Sequence, residues 1–208
     1  MCVWNEERKK GLFVLIEGLD GAGKSTQAQL LVDRLRGAGH DALYLKEPTN
    51  GPWGQKIRRI ATHGRDGVTR EEELSWFIND REEDSKQNII PALITGKIVV
   101  MDRYIPSNMA YQGALGFDVK VIAEKNRHFP QPDIAFFLDI KPEEGLKRVE
   151  GRGGANIGFE KIGFLKKVYR IFNGPGFESL IRIDARQGID AVSGQIWDRV
   201  SPLLKERV

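Results

Sequence analysis

The sequence predicts an α/β fold of three layers, a five-stranded parallel sheet between helices with a small lid. Three features of the 208-residue chain carry that prediction. Short, continuously apolar runs recur along it, as strands buried on both faces require. Stretches with apolar residues at helical spacing separate those runs. Glycine or an acid closes most of them, at the strand ends where ligands of such sheets collect. Strands alternating with helices make right-handed parallel crossovers.

Residues 1–10, MCVWNEERKK, read as a polar extension, and 11–208 as a single domain. Leu12 to Ile16 form the first buried strand. Ser25 to Arg36 then align Ala28, Leu31, Val32 and Leu35 on one helical face, closed by Gly37 and Gly39. Ala42–Leu45 is a second strand, and Glu47–Gly54, rich in proline and glycine, reads as a loop. A long helical pattern spans 70–95, with Pro91 a possible kink. Strands ending in an acid follow at Lys97–Asp102, Ile134–Asp139 and Leu180–Asp184. Helices are expected at about 107–115, 118–127, 142–150, 159–172 and 188–206. The glycine-rich stretch Gly151–Gly158, between two helices, reads as a mobile lid.

Composition narrows the function. Lys plus Arg number 32 and Asp plus Glu 29, leaving +3, which gives no reason to expect a nucleic-acid polymer as partner. A single cysteine, Cys2, excludes an internal disulfide, and three scattered histidines do not make a zinc site. No apolar run approaches the roughly 20 residues of a membrane helix. The charged N-terminus lacks the apolar segment of a secretory signal, so the chain reads as cytoplasmic, without a membrane partner.

Gly18-Leu19-Asp20-Gly21-Ala22-Gly23-Lys24-Ser25 satisfies GxxxxGK[ST] in its required setting, after a buried strand and before a helix. The glycines let backbone N–H groups turn inward at phosphate oxygens, and the helix start adds its positive dipole end. Lys24 supplies a cation for the β- and γ-phosphates, and the Ser25 hydroxyl suits a ligand of Mg2+. Asp102 reads either as a strand-end cap or as a second group for the metal's water shell. Triphosphate binding follows; its use does not. No NKxD motif marks a GTPase, and Ser193-Gly194-Gln195 is only a misplaced fragment of a transport-ATPase signature. A small phosphotransferase remains, with a nucleotide-driven switch as the competing class.

Phe13 to Thr26, Asp102-Arg103-Tyr104 and Ala110-Tyr111-Gln112-Gly113 together resemble the thymidylate kinase family of P-loop kinases. Pro132-Asp133, Phe137-Leu138-Asp139, Leu146-Lys147-Arg148 and Ile183-Asp184-Ala185 extend the likeness, which runs from about residue 11 to 200. It implies a P-loop NTPase-type fold and transfer of the ATP γ-phosphoryl group to dTMP, giving dTDP and ADP with Mg2+. It also implies a homodimer. Gly18 to Thr26, with Arg148 near adenine, would bind ATP.

On spacing alone Phe77 and Arg81 read as a core aromatic and a solvated arginine. The resemblance gives them other roles, Phe77 stacking on thymine and Arg81 donating to its O4. It implies that Asp20 accepts from the deoxyribose 3′-hydroxyl and that Arg103 grips the monophosphate in bidentate fashion. Asn108 and Gln112 would read the base with their amides, and the Tyr111 ring would crowd a 2′-hydroxyl. Glu47 and Arg58 would face the acceptor. Arg152, in the lid, would be an arginine finger in cis.

The sequence departs from that family at several points. Gly21 stands where one branch has an arginine, and the lid holds only Arg152, a second arginine being replaced near Asn156–Ile157. Lys46-Glu47-Pro48-Thr49 replaces Arg-Glu-Pro-Gly, and Asn79 and Asp80 fall between Phe77 and Arg81. Two further readings follow: a kinase of another (deoxy)nucleotide or deoxynucleoside, and a nucleotide-binding regulatory protein without turnover.

Overall fold

The computed structural model describes residues 10–65, 67–151 and 159–205. Its sheet has five parallel strands in the order β2-β3-β1-β4-β5. These are β1 (Phe13–Gly18), β2 (Ala42–Lys46), β3 (Ile98–Asp102), β4 (Ile134–Asp139) and β5 (Ile181–Asp184). Alternate residues of β1 feed two cores, which is why the run is apolar throughout. Phe13 and Leu15 join Met101, Phe137, Val168 and Phe172 on one face; Val14 and Ile16 join Leu31, Val100, Leu138 and Ile196 on the other. The five-stranded parallel sheet between helices matches the expected fold class.

Helices α1 (Lys24–Gly37) and α9 (Ile189–Lys205) contact one another across the second core. The first core is covered by α3 (Arg70–Asp84), α4 (Ile90–Ile94), α5 (Ile105–Ala114), α6 (Val119–Asn126) and α8 (Phe159–Phe172). Helix α7 (Pro142–Glu150) lies beside the glycine-rich loop that follows β1. A capping box opens α3: the Thr69 side chain accepts from Glu72 N, and the Thr69 N–H donates to Glu72 Oε2.

Two expectations are corrected. The loop predicted for Glu47–Gly54 ends at Gly51, because α2 (Pro52–His63) starts at Pro52. Proline suits the first helical turn, where no N–H partner is needed. Gly54 sits inside the helix because a Cβ there would lie 1.9 Å from the Thr49 carbonyl oxygen. The long helix of 70–95 is also not uniform: a π turn, Ser85–Ile89, joins α3 to α4. It widens the helix where the Pro91 ring would otherwise meet the carbonyl of Gln87. Cys2, Asn156, Ile157 and Arg152, and with it nearly all of the expected lid, lie outside the described residues.

Candidate active site

β1 runs directly into the phosphate-binding loop, and α1 begins at Lys24. Gly21 has φ +82°, and a Cβ on it would lie 2.0 Å from the carbonyl oxygen of Gly145 in α7. A Cβ on Gly145 would lie 2.4 Å from the carbonyl oxygen of Asp20. The loop is seated backbone to backbone on α7, and this backbone has no room for an arginine at position 21. Lys24 is buried and donates to the Leu19 carbonyl at 2.8 Å. Burial, and then the positive charge of Arg103, lower its pKa to about 8.

Ser25 and Asp102 come together at the ends of α1 and β3. The Ser25 hydroxyl donates to Asp102 Oδ2, which also accepts from the Tyr44 hydroxyl at 3.2 Å. Burial, and then the Asp102 charge, push the Tyr44 phenol up to about 12. Asp102 is fully buried, and its Oδ1 has no hydrogen-bond partner among the described residues. A hydroxyl and a carboxylate with a spare oxygen fit a hard divalent cation that keeps water and phosphate as its other ligands.

Arg103 is the one non-glycine residue with positive φ (70°) among the described residues. That backbone turns the guanidinium toward Asp20, reached by Nη2 at 2.5 Å, with Nη1 donating to Ser107 Oγ at 3.1 Å. Beneath it, buried Glu17 accepts from Tyr104 N (2.9 Å), Ser107 N (3.1 Å) and Ser107 Oγ (2.6 Å). The Glu17 carboxylate therefore fixes the start of α5, and with it Arg103. Burial works against the charge of Arg103, but Tyr111, Asp20, Glu17 and Asp102 together hold its pKa above the ordinary arginine value.

Three cavities adjoin around this loop. One of about 360 Å³ is lined by Asp20, Phe77, Arg103, Ser107, Tyr111 and Gln112, among others. The second, about 270 Å³, holds Gly21, Lys24, Ser25 and Lys46, and shares Asp20 and Arg103 with the first. The third, about 420 Å³, includes Gln27, Arg148 and Ile189, and shares Gly23 and Thr26 with the second. Arg148 Nη1 also donates to the Gly21 carbonyl at 3.4 Å.

Four expected residues are not part of the wall of the first cavity: buried Glu47, Arg81 and Asn108, and half-buried Arg58. Arg81 is 1% exposed; its Nη2 meets Glu47 Oε2 at 2.5 Å, and its Nη1 donates to Asn126 Oδ1 at 2.5 Å and Asn108 Oδ1 at 3.3 Å. Burial pushes the Glu47 carboxyl above the usual range, against the pull of the Arg81 guanidinium. Asn108 Nδ2 donates to Gln112 Oε1 at 3.1 Å, and Gln112 Nε2 donates to Glu73 Oε1 at 3.3 Å. Arg58 Nη1 holds the Pro48 carbonyl at 2.9 Å. A relay of buried groups thus fixes Gln112, which does line the cavity.

Asp80 binds neither Arg81 nor the cavity. It accepts from the Thr49 N–H at 2.7 Å and from the Thr49 hydroxyl at 2.6 Å. Two of the family departures, Thr49 and Asp80, are therefore partners in one clamp. Asn79, the other departure between Phe77 and Arg81, also stands outside the wall of the cavity.

Several residues here were not singled out from sequence. Glu17 is a charge at the end of an apolar strand and so carried a signal, whereas Ser107 meets Arg103 only because α5 starts just after it. Lys46 was marked only as a departure from the family, and Phe164 and the Arg65–Glu73 ion pair (2.5 Å), which lines the first cavity, carried none.

The family model described as thymidylate kinase matches residues 16–196 of this chain. A thymidylate kinase of Desulfotalea psychrophila is 48% identical over 196 residues, covering 94% of this chain and 96% of that protein. One from Xanthomonas oryzae pv. oryzae is 40% identical over 203 residues (98% and 88%), and one from Xylella fastidiosa 39% over 198 (95% and 90%).

Proposed function

The chain belongs to the thymidylate kinase family, and we propose that it transfers the γ-phosphoryl group of ATP to dTMP, giving dTDP and ADP. The observation that carries the reading is the sharing of Asp20 and Arg103 between the first two cavities. A nucleotide monophosphate in the first would bring its phosphate to the wall it shares with the loop that holds the donor's phosphates. The third cavity, reached through Gly23 and Thr26, suits the donor's adenine.

Positioning and charge neutralisation dominate such a transfer, because the acceptor phosphate is already a nucleophile. Lys24 and the loop N–H groups would hold the donor phosphates, and Arg103 would grip the acceptor phosphate. Ser25 and Asp102 would hold Mg2+, which neutralises phosphate charge when bound. Phe77 would stack on thymine. Gln112 lines the pocket with a second Nε2 hydrogen for a base carbonyl, while Tyr111 crowds the sugar. Arg81 and Asn108 act on this reading by fixing Gln112 from behind, and Asp20 accepts from the 3′-hydroxyl. Arg152 would supply the cis arginine. A homodimer in the cytoplasm completes the proposal, and sedimentation equilibrium tests the first part.

The case for a different acceptor rested on Asn79 and Asp80, and neither lines the acceptor cavity. The test is ADP release from Mg-ATP with dTMP, dUMP, dCMP, dGMP, CMP, UMP, AMP or thymidine, with Lys24→Ala as blank. Turnover selective for dTMP and absent in the blank is expected. Selectivity for another acceptor, or ATP binding without turnover, overturns the reading.

A further inference from the structure

We propose that Lys46 is the resident counter-charge of the Ser25–Asp102 pair and competes with the divalent cation for it. The proposal rests on the metal reading of that pair given above. Lys46 ends β2 in register with Asp102 at the end of β3. Its Nζ donates to Ser25 Oγ at 3.2 Å and lies 3.4 Å from Asp102 Oδ2. The ammonium therefore sits against the hydroxyl and the carboxylate assigned to the metal, on Oδ2 beside the spare Oδ1.

A fully buried carboxylate needs compensating charge, and Lys46 is the cation at ion-pair distance from Asp102 among the described residues. Lys24 and Arg103 add positive charge from farther off, with Lys24 Nζ hydrogen-bonded to the Leu19 carbonyl and Arg103 to Asp20 and Ser107, and the Tyr44 hydroxyl brings no charge. A divalent cation on that hydroxyl and either carboxylate oxygen would sit within a few ångströms of the ammonium, so the two compete. Lys46 can leave: its side chain is 48% exposed, on a flexible four-carbon stem. The cavity it lines also contains Lys24, Ser25 and Arg103, so the displaced ammonium stays within the phosphate-binding cavity. A polyphosphate gives it a new partner. Metal binding is thus held weak until nucleotide arrives, a coupling between the two ligands.

The experiment is a Mn2+ titration of the nucleotide-free protein followed by electron paramagnetic resonance, repeated with ADP present. Proteins compared are the wild type, Lys46→Met, Lys46→Gln, Lys46→Arg and Asp102→Asn, each first shown to melt cooperatively. Without nucleotide, Lys46→Met and Lys46→Gln should bind Mn2+ at least about tenfold more tightly than wild type. Lys46→Arg, which keeps the charge, should match wild type, and ADP should narrow the difference. Equal or weaker Mn2+ binding by both neutral variants overturns the role of Lys46 while leaving the metal site standing. Unchanged Mn2+ binding by Asp102→Asn, with and without ADP, overturns the metal reading and this proposal with it.

Discussion

The backbone N–H and the hydroxyl of Thr49 both donate to the carboxylate of Asp80, at 2.7 and 2.6 Å, tying the segment after β2 to α3. Read singly in the sequence, each residue looks like an alteration of the acceptor pocket. Together they are a brace that holds Pro48 at the cavity wall.

Breaking the brace should therefore cost stability and leave selectivity alone. Thr49→Ala removes two hydrogen bonds, the one to Asp80 and the one accepted from the Gly51 N–H, and is expected to cost about 2 kcal/mol; Asp80→Ala strands the Thr49 N–H and hydroxyl and should also cost about 2 kcal/mol. Urea unfolding of the two variants and the double variant would give a coupling energy of about 1 kcal/mol. The preference for dTMP over dUMP should stay within about twofold of wild type. A change of acceptor in Asp80→Ala would contradict this account.

Gly21 and Gly145 exclude each other's side chains. Gly21→Ala meets both a positive φ and the Gly145 carbonyl, and is expected to lower stability by about 2 kcal/mol or more. Nucleotide affinity should fall with it. Thermal melts with and without ADP check both effects, and an unaltered midpoint would show that the loop does not rest on α7 as described.

Phe77 lines the first cavity, proposed above for the acceptor, and not the second. Stacking on a base is worth roughly 1–3 kcal/mol, so Phe77→Ala should raise the dTMP KM by roughly 5- to 150-fold. The ATP KM should be unmoved. Steady-state kinetics with each substrate varied in turn decides it; equal effects on both KM values would point to misfolding.

Lys24 gives a pH dependence whose sign can be worked out. Its free-state pKa lies near 8, and an anionic polyphosphate favours the ammonium, raising that value on binding. ADP binding is therefore expected to take up a proton at and above about pH 8, with affinity falling as pH rises through that region. Calorimetry at pH 8 in buffers of different ionisation heat measures the uptake, and Lys24→Ala should abolish it. Heats independent of buffer would rule this linkage out.

Family, fold class and phosphate-binding loop were legible in the sequence because each rests on local constraints. An apolar run of strand length, a helical repeat and GxxxxGKS reveal themselves within a few residues, and the acid ending β3 is set by strand register. Phe77, Tyr111 and Gln112 were also reachable, since resemblance marks them and α3 and α5 bring them to one cavity.

Other features depend on pairs far apart in the chain. Thr49 and Asp80 are separated by 31 positions and Ser25 and Asp102 by 77, so no local pattern announces either pairing. Arg81 was expected in the pocket, but packing against Glu47, Asn126 and Asn108 sets it one layer behind. Pro52 and Gly54 looked like loop residues, yet one starts α2 and the other admits the Thr49 backbone. Sequence determined which chemical groups are present and which strand and helix carry each. Only the tertiary structure decided which of them line a cavity and which support its wall, because burial and charge pairing are settled between elements and not within them.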